Sequence, residues 1–198
     1  MSLTPQALEH VHAILAQADA KLDQLRHIEP YLIDLSLREN PVGSNLGQTL
    51  ADKLAILPKL REFGFRNISL GTLDYAMPDE LEVDDDFMQH LRDQQADMTG
   101  CFAFTAMGIQ SADGTFTPDP SQLKLRAYGV PNTVQEISIS KAGRGTQYDL
   151  DTLRRSLPAS IDWLCEHIRG DDGNRPRILV NIVDGCDAFA ECPDVVCS

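Results

Sequence analysis

Arg38 and Glu39 stand side by side at the end of a short apolar stretch, residues 31–37, with Ser36 and Asn40 around them. A guanidinium beside a carboxylate can do chemistry. The arginine can neutralise an oxyanion as it forms, and the carboxylate can hold a cation that polarises the same oxygen. The plainer reading is a salt bridge after a strand, common in any α/β protein. Asp184 and Asp187 follow a later apolar stretch, 177–183. Asp184 could hydrogen-bond a substrate or assist a metal, or could simply form a turn with Gly185. Thr105 and Met107 close another apolar run and would either line the same cavity or pack.

Other reactive types are less well placed. The run Lys141–Ala142–Gly143–Arg144–Gly145 joins basic side chains to exposed backbone N–H groups, as small phosphate-binding loops do. It lacks the GxxxxGK[ST] order of a nucleotide loop, and a solvent loop is the competing reading. Cys186 would need an oriented base to act as a nucleophile, and no histidine is close to it in sequence. His10 and His12 are two apart on an expected helix, where side chains do not face each other.

The elements that must position these groups follow from periodicity. Leu8, Val11, Leu15, Ala18, Leu22 and Leu25 make one apolar stripe, predicting a helix over 5–27. The period then changes. Strands are predicted at 31–37, 67–70, 99–107, 134–140 and 177–183. Helices are predicted at 50–63, 79–95 and 150–168, and a further loop and helix begin at 185. Segment 108–131, with its Asp113–Gly114 and Pro118–Asp119–Pro120 turns, reads as a long loop or a small hairpin excursion. Strands alternating with helices, and apolar on both faces, indicate a parallel sheet with helices packed on it.

Composition sets the outer limits. With 198 residues, 42% of them apolar, the chain can form one sizeable domain. Seventeen basic and thirty acidic side chains give a formal charge of -13. That field argues against nucleic acid and against an anionic membrane as partners. Five cysteines without CxxC spacing do not make a disulfide framework or a structural zinc site. With no membrane-length apolar run and no signal-peptide order, a soluble, cytoplasmic protein is expected.

The segment Asp34–Leu35–Ser36–Leu37–Arg38–Glu39–Asn40 resembles the D-x-T-L-R-D-G motif of the HMG-CoA lyase-like superfamily, which includes 2-isopropylmalate synthase and the carboxyltransferase domain of pyruvate carboxylase. The likeness continues through Asp52–Lys53–Leu54, Leu60–Arg61–Glu62–Phe63–Gly64–Phe65 and Asn67–Ile68–Ser69–Leu70–Gly71. It implies a (β/α)8 barrel that uses magnesium, manganese or zinc to make or break a carbon–carbon bond beside a carbonyl. The substrate would be a 2-oxo acid or an acyl-CoA thioester. On this resemblance Arg38 steadies the carbonyl or enolate oxygen and Glu39 takes the place of the metal-binding aspartate. Asp34 supports the site, and Ser69 stands where the family has a strand glutamate. The seventh-strand H-x-H pair of the family has no match.

The resemblance covers residues 31–198, leaving 1–30 as an N-terminal helical extension. Five strands are fewer than the eight a barrel needs, and the full fold takes about 250 residues. The expected architecture is therefore a barrel stopped after about five strands, inactive as this isolated chain. One alternative is a non-catalytic homologue that binds a full-length relative or another copy of itself. The other is an unrelated flavodoxin-like or Rossmann-like sheet, although no GxGxxG follows the first strand.

Overall fold

The computed structural model describes residues 30–38, 48–73, 78–144 and 149–191. The helix expected over 5–27, the H-x-H at His10 and His12, and Glu39 lie outside the described residues. Contacts divide the chain into two units, Met1–Leu32 and Ile33–Ser198, and all the described elements belong to the second. In chain order they are α1 (Leu50–Glu62), β1 (Ile68–Thr72), α2 (Pro78–Asp93), β2 (Cys101–Ala106), β3 (Ile109–Gln110), β4 (Phe116–Thr117), α3 (Pro120–Tyr128), β5 (Asn132–Ile137), α4 (Lys141–Arg144), α5 (Leu150–His167), β6 (Ile178–Ile182) and α6 (Gly185–Glu191).

The main sheet has the order β1-β2-β5-β6, and every pair in it is parallel. Its strands therefore lie side by side in the order in which the chain makes them. A single parallel bridge, Asp34 to Ile68, adds one more segment beyond β1. A full strand over 31–37 does not form there. The Asp34 carboxylate accepts the Ser36 backbone N–H at 3.0 Å and the Ser36 hydroxyl at 3.1 Å. Arg38 N–H then closes onto the Leu35 carbonyl. This local turn competes with the ladder and ends it after one bridge.

Side chains alternate across the sheet. Ile68, Leu70, Cys101 and Ala103 join Leu60, Phe87, Leu91, Leu125 and Leu164 from the helices in the largest core cluster. Ile137 packs with Leu153 and Ala188 from α5 and α6. On the opposite face Phe102, Phe104 and Val134 gather with Ile33 and Leu179, and no helical residue belongs to that cluster. Helices thus cover one face of the sheet among the described residues.

The segment expected to be a loop at 108–131 holds more structure than its turn residues suggest. β3 and β4 form a small antiparallel hairpin, and α3 follows. Asp119 and Pro120 are a helix start: the Asp119 carboxylate accepts the Ser121 N–H, Gln122 completes a capping box, and Pro120 occupies the first turn. The hairpin is fastened to α5 by Ser156 and Ser160, whose hydroxyls accept the N–H groups of Gln110 and Gly108. Ser160 also receives the buried side-chain amides of Gln122 and Gln135, each at 2.6 Å. No helix among the described residues is long and apolar enough to cross a membrane.

Candidate functional site

Parallel sheets carry their ligand sites at the C-terminal ends of the strands, where loops and helix starts converge. In this chain that end brings together Arg38, Phe104, Glu136 and Asn181. Glu136 and Asn181 are partners in the β5–β6 ladder, and Ala106 is the partner of Glu136 on β2. All three point to the face on which no helix packs among the described residues. The Arg38 guanidinium lies over the Phe104 ring, 4.2 Å from its centroid. Its Nη2 donates to Glu136 Oε1 at 3.3 Å, and Asn181 Nδ2 donates to the same oxygen at 3.2 Å. The other carboxylate oxygen, Oε2, accepts no hydrogen bond from the described residues.

This contact has a geometric consequence. Arg38 leaves the chain beside β1, whereas Glu136 is on β5, with β1 and β2 between them. Three interstrand spacings amount to about 14 Å on a flat sheet. Extended arginine and glutamate side chains reach about that far between them, so the pair spans this face from the segment at Asp34 to β5. Small Ala106 leaves room for the meeting.

A second polar centre lies behind β1, on the helix side. Lys53 of α1 is 1% exposed, and its ammonium sits 2.6 Å from Asp84 Oδ1 on α2. Lys53 also donates to the Leu37 carbonyl and, at 3.2 Å, to the Leu70 carbonyl. Asp84 Oδ2 accepts the Thr72 N–H at 2.7 Å. Burial pushes the Asp84 carboxyl above its ordinary value, although Lys53 pulls it back. Gly71, at φ +153°, is what lets Asp84 come so near: a Cβ there would lie 2.3 Å from Asp84 Oδ2. Because Lys53 holds the Leu37 carbonyl, this buried centre fixes the backbone from which Arg38 projects.

The other residues singled out by sequence take distinct places. Asp34 is spent on the Ser36 turn. Ser69 is fully buried on the Phe102 side of the sheet, and its hydroxyl has no hydrogen-bond partner among the described residues. Thr105 faces the helices: it bonds Thr133 Oγ1 at 2.9 Å, and its ladder partner Gln135 reaches Ser160 on α5. Met107 packs in the same helix-side layer. Asp184 accepts the backbone N–H groups of Ile139 and Ser140 at 3.0 and 2.7 Å, tying the end of β6 to the loop after β5. Burial pushes its carboxyl up, but the bonds from Ser140 and Ile139 together outweigh burial and hold it below its ordinary value. The run from Lys141 forms the short helix α4. The Lys141 N–H is taken by Glu191 and the Gly143 N–H by Ser140, so neither is offered to a phosphate. Cys101, Cys165 and Cys186 are free thiols, and burial pushes Cys101 up to about 11.

A divalent cation needs several convergent oxygen or nitrogen donors. Among the described residues no three His, Cys, Asp or Glu side chains converge in that way. Asp34 and Asp184 already spend their carboxylates on nearby donors, and the buried Ser69 hydroxyl is neutral. The described residues by themselves do not fit a metal shell. A surface depression of about 300 Å³, lined by Asp97, Thr99, Pro131, Arg169 and Asp171, lies at the opposite end of the strands. There Asp171 holds the Gly100 N–H and the Asn132 amide.

Sequence reasoning missed Glu136, Asn181, Phe104, Lys53 and Asp84. A signal existed for three of them. Strands buried in a parallel sheet should be apolar, so Glu136 in NTVQEI and Asn181 in ILVNI are exceptions near strand ends. Lys53 sits three residues after Leu50 and four before Leu57, on the apolar stripe of α1. No family model matches the chain, and no curated protein matches it.

Proposed function

We propose that this chain is a divergent relative of the metal-dependent enzymes of the HMG-CoA lyase-like superfamily, with a barrel-type sheet whose mouth holds a carbonyl oxygen on Arg38. The contact between Arg38 and Glu136 across this face of the sheet carries this reading. It puts a cation over an aromatic floor at the strand ends, where an enolate-stabilising arginine belongs. Strand order supports it as well. A doubly wound sheet reverses its order at a switch point and takes helices on both faces. Among the described residues this sheet runs in chain order with helices on one face. A divalent cation enters only through the resemblance, with Glu39 as its carried-over ligand.

For the isolated 198 residues the reading is binding without turnover, because Arg38 is already engaged by an internal carboxylate. The ligand would be a 2-oxo acid or an acyl-CoA thioester. Ligand-observed NMR with acetyl-CoA tests this, using the wild-type chain and Arg38→Gln with magnesium or manganese present. Wild-type binding that weakens tenfold or more in Arg38→Gln, with no product formed, is the expected result. Binding that ignores Arg38, or no binding at all, would remove the basis for the assignment. Measured turnover would overturn the reading of inactivity.

A further inference from the structure

We infer that Glu136 determines the charge preference of the mouth: it supplies from within the chain the carboxylate that Arg38 would otherwise take from a ligand, and so turns free carboxylates away. The inference rests on the reading of Arg38 as a ligand-binding residue.

The geometry carries the argument. Arg38 and Glu136 are both partly exposed, at 29% and 20% of their side-chain surface, so water and small solutes reach the pair. Glu136 is held in place twice through Oε1, by Arg38 Nη2 and by Asn181 Nδ2. Asn181 is neutral and has no charge to balance; its effect is to keep the carboxylate turned toward Arg38. Oε2 has no donor from the described residues, so a second carboxylate approaching Arg38 meets a negative oxygen. Phe104 beneath the guanidinium adds no compensating charge. The Arg38–Glu136 pair is electrically neutral, so it offers an incoming carboxylate no net positive charge. Like charges a few ångströms apart strongly oppose binding in a partly desolvated site. A neutral carbonyl, such as that of a thioester, escapes this repulsion. Of the two ligand classes above, the pair therefore selects the thioester over the 2-oxo acid.

The test is a titration with oxalate, a small planar dianion, followed by calorimetry or by the NMR shift of the Arg38 side-chain N–H. It is run on wild type, Glu136→Gln, Glu136→Ala and the double variant Arg38→Gln/Glu136→Gln. Unfolding temperatures confirm that each variant is folded, and the two replacements of Glu136 guard against failure of either one. The expected result is an oxalate affinity about tenfold or more higher in Glu136→Gln and Glu136→Ala than in wild type. That gain shrinks as salt is added and disappears in the double variant. Equal oxalate affinity in wild type and Glu136→Gln, both dependent on Arg38, overturns the inference and leaves the binding reading intact. Oxalate that binds none of the proteins, beside Arg38-dependent binding of acetyl-CoA, has the same meaning. Failure of both ligands in every variant overturns the inference and the binding reading together.

Discussion

Two cation–carboxylate pairs flank the first strand of this sheet, and they differ in almost everything but formal charge. Lys53 and Asp84 are 2.6 Å apart with side chains 1% and 6% exposed. Arg38 and Glu136 are 3.3 Å apart and several times more exposed. The inner pair also bonds the main chain, through the carbonyls of Leu37 and Leu70 and the N–H of Thr72. It behaves as a structural clamp joining α1, α2, β1 and the turn before Arg38. The outer pair is partly exposed, lies on the Phe104 ring and takes the Asn181 amide, and water reaches it. A buried charge that loses its partner is costly, whereas an exposed one is rehydrated.

The largest effect should come from breaking the clamp. Lys53→Met leaves Asp84 buried without its cation and two carbonyls without their donor, and should cost about 3–5 kcal/mol in denaturant unfolding. A loss below about 1 kcal/mol would mean that the two pairs are not different in kind. Gly71→Ala drives a methyl group into the Asp84 carboxylate and should cost more than about 2 kcal/mol. At the strand ends, Arg38→Gln should change stability by less than about 1 kcal/mol while altering ligand binding. The exposed Lys59–Glu62 pair of α1 is the natural control: Lys59→Ala should shift stability by about 0.5 kcal/mol or less.

Acid titration separates two aspartates by sign. The folded-state value of Asp84 is raised above 3.8, so its contribution is greatest below that pH and is lost as pH rises through the folded value. Asp184 is lowered from 3.8, so its contribution is present above that pH and is lost as pH falls through the folded value. Melting curves of wild type, Asp84→Asn and Asp184→Asn between pH 3 and 7 should show this. The gap between wild type and Asp184→Asn closes on acidification; the advantage of wild type over Asp84→Asn narrows as pH rises above 3.8. Gaps that move together in both variants would contradict the assignment.

Periodicity located the sheet and its main helices to within a few residues, because strands buried on both faces and amphipathic helices leave strong apolar patterns. It failed where short-range polar chemistry decides the outcome. Asp34 captures Ser36 and cuts the first strand to one bridge. Asp119 and Pro120, which read as turn residues, start a helix. The site was legible only on one side. Arg38 stands out in its motif, but its partner Glu136 is 98 residues away, and no local pattern links the two. Asp184 has the composition of a ligand but is used as a splint between two loops.

The order of the sheet bears on how the chain can be made. Each strand of the main sheet lies against the strand synthesised before it, and the first bridge precedes them all. A nascent chain leaving the ribosome never has to hold an edge open for a later segment to insert between strands already paired. Each β/α unit can dock as it emerges, so that the growing sheet presents its newest edge beside the first edge at β1. Of the contacts described at the C-terminal ends of these strands, the one between β6 and β5, where Asn181 reaches Glu136, forms after those of β1 and β2. Folding during synthesis would thus assemble the clamp around Lys53 well before the mouth is complete.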